Sequence, residues 1–199
     1  MKSKTFLTII PVLAAILLLA RCTNQPSADT ALSDEERKVY TEKGQAIAAA
    51  TFAALSSRLT TAIEENGIAG AMDYCNLVAL PLVDSLSGVH NATIRRTSLK
   101  VRNAKDAPQD WEQGILTDFE KAVQAGQDLK PVVKQLDENT VAFAAPIKVM
   151  PLCLKCHGSV GQDIAESDYL KIRELYPQDQ AINYKEGDLR GMWSITFKR

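Results

Sequence analysis

From Ser33 to Leu86 the chain carries helical periodicity almost without interruption. Ala48, Phe52, Leu55, Leu59 and Ile63 recur at helical spacing, so they share one face of a long Ala-rich helix. Ser33-Asp34-Glu35-Glu36 reads as a capping box that starts it. Asn66-Gly67 predicts its end, because both residues tolerate the left-handed conformation of a helix cap. A second helix is predicted from Ala69 to about Leu86, bent near Pro81. Met72, Cys75, Ala79, Leu82 and Leu86 fall on one of its stripes, which turns Cys75 to the interior. An apolar face this long has to be covered by the rest of the chain.

The covering elements read mainly as strands. Ala92 to Val101 is rich in β-branched residues and lacks a helical period. Asn103 to Asp106 is a predicted loop, and Asp106 a predicted cap for a helix with Pro108 in its first turn. Trp111, Ile115, Leu116 and Phe119 give that helix its apolar side, ending near Gly126. Val132 to Leu136 and Thr140 to Val149 read as strands around the turn Asp137-Glu138-Asn139. Ser167 to Leu175 reads as a short helix and Gly191 to Lys198 as a closing strand. The sum predicts an α+β fold, with an antiparallel sheet behind two leading helices.

The 199 residues hold 23 basic and 24 acidic side chains, and 46% are hydrophobic. That balance excludes a disordered chain and a multi-span membrane protein, and gives no global attraction for nucleic acid. The first residues are of another kind. Lys2 and Lys4 precede an apolar run from Thr5 to Ala20, too short for a membrane span of roughly 20 residues but suited to a secretory signal. Cys22 follows directly, as at a bacterial lipoprotein processing site, although Arg21 stands where a small residue is usual. An uncleaved anchor and ordinary signal cleavage are the alternatives. The expected organisation is a lipoprotein-type signal over 1–21, a flexible tether over 22–32 and one domain over 33–199. Lipidated Cys22 would hold that domain to a membrane on the periplasmic side.

One motif carries chemistry. Cys153-Leu154-Lys155-Cys156-His157 is C-x-x-C-H, the attachment pattern of c-type haem. The two thiols can add to the two vinyl groups on one porphyrin edge, and the adjoining imidazole reaches the iron as proximal ligand. A structural disulfide would leave His157 unexplained. A thioredoxin-like pair needs a βαβ context that the flanking residues do not supply. Zinc needs four ligands, and the chain offers only Cys153, Cys156, His157 and one of Cys75 or His90. One covalent haem c is the expected cofactor.

The second axial ligand is less determined. Cys75, His90, Met72, Met150 and Met192 are the candidates. Met150 lies too close to Cys153 to reach the opposite face of the ring. Met192, beside Trp193 in a strand, fits a core position. His90 sits in the turn-like stretch Gly88-Val89-His90-Asn91, and Cys75 on an apolar helix face. Pattern alone leaves His90 and Cys75 level, with Met192 behind. Arg95, Arg96 and Arg102 are candidates for pairing with haem propionates. Arg95 and Arg96 point to opposite faces of a regular strand, so at most one of them faces the haem. Ser98 and Asn103 shape turns.

Several of these stretches occur together elsewhere. Ala71-Met72-Asp73-Tyr74-Cys75-Asn76, the run Arg95 to Asn103, Asp106-Ala107-Pro108, Trp111-Glu112 and the late C-x-x-C-H appear in an order that resembles a family of exported single-haem domains long catalogued as a domain of unknown function. The resemblance covers about residues 35–199. It implies a PAS-like fold, found both alone and as the input domain of sensor kinases. It also implies haem c held by His157, with Cys75 as the second axial ligand. Ala104-Lys105-Asp106 departs from the family, which more often shows Pro and Asn there. A thiolate ligand would stabilise ferric iron, lower the reduction potential and be displaceable.

Two functions follow as expectations. One is a periplasmic redox or small-ligand sensor, in which a diatomic gas or a redox change displaces Cys75. The other is an electron carrier with a redox partner protein. No separate acid–base or nucleophile constellation points to an enzyme.

Overall fold

The computed structural model describes residues 32–199. The predicted signal, the tether through Ala31 and Cys22 lie outside the described residues. The fold is α+β, a four-stranded antiparallel sheet in the order β1-β4-β3-β2 with helices on both faces. The strands are β1 (Ala92–Thr97), β2 (Val132–Asp137), β3 (Thr140–Lys148) and β4 (Leu189–Lys198).

Helix α1 (Asp34–His90) opens on the predicted capping box. The Glu36 amide donates to Ser33 Oγ at 3.2 Å, and the Ser33 amide donates to Glu36 Oε2 at 2.8 Å. The predicted break is present at Gly67, whose φ of 67° and ψ of −172° interrupt the helical path. Downstream, α1 runs to His90 rather than stopping near Leu86, and Asn91 takes the left-handed cap at φ 48°. His90 is therefore the last helical residue, not part of a turn.

The register explains how the sheet divides its side chains. Ile94, Arg96, Trp193 and Ile195 share one face, since Ile94 opposes Ile195 and Arg96 opposes Trp193. Ile47, Ala48 and Val83 of α1 pack on that face with Ile94, Phe143, Trp193, Ile195 and Phe197. The approach is close. A Cβ on Gly44 would lie 2.2 Å from Cγ of Phe143, so only glycine lets α1 sit on this ring. Arg95, Thr97 and Met192 occupy the opposite face, under α2 (Asp110–Gln124). Ile115, Leu116 and Phe119 pack there on Ala144 and Met192.

Three boundaries differ from expectation, each for a local reason. β1 stops at Thr97 because Ser98 Oγ accepts the Lys100 amide at 3.2 Å and turns the chain out of the ladder. Asp106 does not cap α2. It closes a 3₁₀ turn (Ala104–Asp106) in which Asn103 Oδ1 accepts the Lys105 amide at 3.0 Å. The α2 cap is Gln109, whose amide donates to Glu112 Oε2 at 2.7 Å, so Pro108 precedes the helix.

Between β3 and β4 lie a 3₁₀ turn (Pro151–Cys153), α3 (Leu154–His157) and α4 (Glu166–Leu175). Ile172 of α4, Ile164 and Met72 of α1 form a second, smaller core, against which Cys156 packs. Lys171 Nζ meets Asp73 Oδ1 at 3.1 Å beside it.

Candidate functional site

C-x-x-C-H runs from the end of the 3₁₀ turn (Cys153) through α3 (Leu154–His157), bound to the chain by carbonyls and by the imidazole. The His157 carbonyl accepts the Tyr184 amide at 2.9 Å, and the Gly158 carbonyl accepts the Asn183 amide at 2.9 Å. Gly158 is needed for packing, since a Cβ there would lie 2.4 Å from Cβ of Asp163. Asp163 Oδ2 in turn accepts the Ser159 amide at 2.9 Å.

His157 Nδ1 lies 2.7 Å from the Ala181 carbonyl oxygen. A carbonyl can only accept, so Nδ1 carries the proton and Nε2 keeps its lone pair. Burial holds the imidazole pKa well below its ordinary value, and Arg190, Arg102 and Arg96 push the same way against the Ala181 hydrogen bond. The ring is thus neutral and oriented, the state a metal-ligating histidine needs.

Arg102 is the staple of this region. Its guanidinium donates to the Cys156 carbonyl at 2.6 Å, to the Ala181 carbonyl at 3.1 Å and to both carboxylate oxygens of Asp179 at 3.1 and 3.0 Å. Asp179 Oδ1 also accepts the Ala181 amide at 2.8 Å. The Ala181 carbonyl therefore joins the imidazole to the guanidinium. Lys100 reinforces the arrangement, donating to the Ile182 carbonyl at 2.7 Å and lying 4.2 Å from the Tyr184 ring centre.

The three described cysteines are free thiols. Cys75 is brought to the motif. Burial raises its pKa, while the Arg96 and Arg102 charges oppose the rise. Cys156 is pushed up to about 12 by burial, and a charge on Cys75 adds to the rise against the pull of Arg102. Among the described residues no group of three or more His, Cys, Asp or Glu is arranged to hold a metal ion.

The other ligand candidates fall elsewhere. His90 stands at the Ala92 end of β1, whereas Arg96 and Arg190 reach the motif from the Thr97–Met192 end. The strand separates those ends by about 16 Å at roughly 3.3 Å per residue. Met192 is fully buried on the α2 face. Met72 fills the small core beside Cys156. Met150 is exposed, and its amide donates to Cys153 Sγ at 3.3 Å.

The arginines divide as the strand alternation predicts. Arg95 goes to the α2 face, where Nε lies 3.4 Å from Glu112 Oε1 and a second nitrogen donates to the Ala107 carbonyl at 2.9 Å. Arg96 goes to the α1 face and makes no hydrogen bond or ion pair among the described residues. A groove of about 320 Å³ opens there, lined by Leu80, Pro81 and Asp84 of α1 and by Ile94, Arg96 and Asp106 among others. Sequence reading missed Asp179, Ala181, Tyr184 and Arg190. Each acts through a long-range contact that no local spacing records. In the helix that carries Cys75, the Tyr74 hydroxyl is buried without a hydrogen-bond partner among the described residues.

Residues 27–198 match the Tll0287-like family, described as Tll0287. The chain belongs to that family. Its fold is similar to the crystal structure of the cyanobacterial heme-protein Tll0287, at 26% identity and a TM-score of 0.50, over 72% of this chain and 94% of the other. No curated protein gives a significant match.

Proposed function

We propose that the chain is an exported haem protein of the Tll0287-like family, in which one haem c is held by thioether bonds from Cys153 and Cys156. His157 and Cys75 are its axial ligands. The observation that carries this reading is the approach of one distant thiol to the C-x-x-C-H motif. The free thiol of Cys75 on α1 stands near enough to Cys156 to act on it, and the His157 imidazole beside it has Nδ1 bonded to the Ala181 carbonyl and Nε2 facing Arg190. The donor set fits an iron porphyrin, and the buried Tyr74 hydroxyl, without a partner among the described residues, fits it as well. Bound there, the group would supply a one-electron couple, and a small ligand could take an iron position where Cys75 is displaced. The chain's residues fix the imidazole and supply positive charge. The sheet with α1 along one face supports a PAS-like reading of the fold, and thus a redox or small-ligand sensor in which Cys75 is the displaceable group. Export to the periplasm and lipidation at Cys22 complete the proposal.

Expression with a haem-maturation system tests it. The wild type should carry haem that survives denaturing electrophoresis, and Cys153→Ala with Cys156→Ala should lose all of it. Colourless wild-type protein would end the haem c reading. Cys75→Ala should shift the ferric Soret band and raise the potential, because an anionic donor is lost. An unchanged ferric spectrum would exclude Cys75 as ligand. Carbon monoxide binding to the reduced protein within seconds separates a sensor from a closed electron carrier. Mass spectrometry of the mature N-terminus checks Cys22.

A further inference from the structure

The His157 ring has one lone pair to give, and the structure already uses it. Nδ1 donates its proton to the Ala181 carbonyl at 2.7 Å, so the free pair sits on Nε2. A bond from this histidine to iron would need that same pair. Yet Arg190 Nε donates to His157 Nε2 at 3.5 Å. The imidazole is thus gripped at both nitrogens, by a carbonyl on one side and a guanidinium on the other.

Arg190 stands near the start of β4 and forms no ion pair among the described residues. The nearby Asp179 is taken by Arg102 through two contacts. Arg190 relies instead on uncharged acceptors. Besides Nε2, a second nitrogen donates to the Lys100 carbonyl at 3.3 Å, and Cζ lies 5.5 Å from the Tyr184 ring centre. Tyr184 in turn meets the His157 ring edge-on at 6.2 Å between centres. The same ring therefore flanks imidazole and guanidinium, and with the Lys100 carbonyl it offers Arg190 a resting place that does not involve Nε2.

We propose that Arg190 is a displaceable cap on His157. It orients the ring together with the Ala181 carbonyl, and it competes with iron for Nε2, because one lone pair cannot serve both. The proposal rests on the haem reading and deepens it. Forming the His157–iron bond requires Arg190 to let go and settle on Tyr184 and the Lys100 carbonyl. Any change that weakens that bond is helped by the return of Arg190 to the ring. The cap thus makes the position of one guanidinium report on the iron ligation of His157.

Two measurements on the purified full chain with thiols reduced test the cap. The first needs no porphyrin. The chain has only two histidines, so the imidazole nitrogen resonances of His157 can be assigned by magnetic resonance. Arg190→Leu should move Nε2 downfield, toward a lone pair that accepts no hydrogen bond, and leave Nδ1 in place. The second is titration with ferric mesoporphyrin, which lacks vinyl groups and so binds without thioether bonds. Arg190→Leu should bind it about tenfold more tightly than the wild type, since no charge-assisted hydrogen bond has to be broken first. Arg190→Gln, which keeps a neutral donor, should fall between the two. In a His157→Ala background Arg190→Leu should leave the affinity unaltered. Weaker binding by Arg190→Leu and Arg190→Gln would overturn the cap while sparing the haem reading. So would an equal gain in the His157→Ala background, or an Nε2 resonance that Arg190→Leu does not move. Wild-type binding that His157→Ala leaves unchanged would overturn His157 as iron ligand, and the competition with it.

Discussion

The sheet with α1 and the segment between Val149 and Arg190 are held together by different physics. Under α1 the contacts are apolar and periodic. Ile47, Ala48 and Val83 meet Ile94, Phe143, Trp193 and Ile195, and one glycine sets the approach distance. In the motif segment regular structure is short, and polar contacts from Arg102, Asp179, Lys100 and the Ala181 carbonyl fix the path. An apolar layer can exchange one methyl group for another at moderate cost. A buried polar network fails when one member is lost, because its partner stays buried and unpaired. Cys153, Cys156 and His157 sit in the second kind of structure, where side-chain orientation is specified most tightly, whereas Cys75 belongs to α1.

The largest effect should come from Asp179→Ala. It leaves the nearly buried Arg102 guanidinium without its carboxylate, a change that costs about 3–5 kcal/mol when a buried pair is broken. If the two regions are separable, the loss appears first as faster amide exchange over Gly158 and the Asn183–Tyr184 strap, with β3 and β4 amides still protected. Uniform loss of protection would show instead that the sheet depends on the staple. Arg102→Met, which removes the charge and keeps bulk, combined with Asp179→Ala should recover part of the stability.

Gly44→Ala probes the other region. The added methyl meets the Phe143 ring, so α1 must lift or the ring must turn, at about 1–3 kcal/mol. Thermal melting should show the loss while amides around His157 keep their protection. A simultaneous loss at His157 would couple α1 to the motif through the Cys75 end of the helix.

Legibility followed the same division. The break at Gly67, the capping box at Ser33 and the four strands were readable because each depends on local backbone chemistry or on a period of apolar residues. The alternation of Arg95 and Arg96 was readable from strand geometry alone. The start of α2 was not, because Asp106 and Gln109 compete for the same cap and Glu112 decides it from inside the helix. At the site, the C-x-x-C-H spacing could be read directly, and the helix phase placed Cys75 on the apolar stripe of α1, where its thiol is half-buried. Asp179 and Arg190 were not, since a single Asp or Arg in a long connection carries no periodic signal. Their contacts appear only where β1, β4 and the motif segment meet.

The smallest effect should come from Asp106→Asn, at the border of the two regions. Asp106 lines the groove with Arg96, and burial raises its pKa more than Arg96, Arg190 and Arg95 lower it. A carboxyl raised in the folded state favours its neutral form there. Below its ordinary value of 3.8 the group is protonated in folded and unfolded chains alike, and no penalty arises. As pH rises from 3.8 to the raised folded value, the unfolded chain ionises while the folded chain resists, so stability is lost over that window and no further above it. Asparagine keeps the neutral form at every pH. The variant should therefore melt higher than the wild type at pH 7, by on the order of 0.5 kcal/mol, and the difference should close as pH falls toward 3.8. Lower stability of the variant at pH 7 would mean that the arginines outweigh burial at this carboxylate.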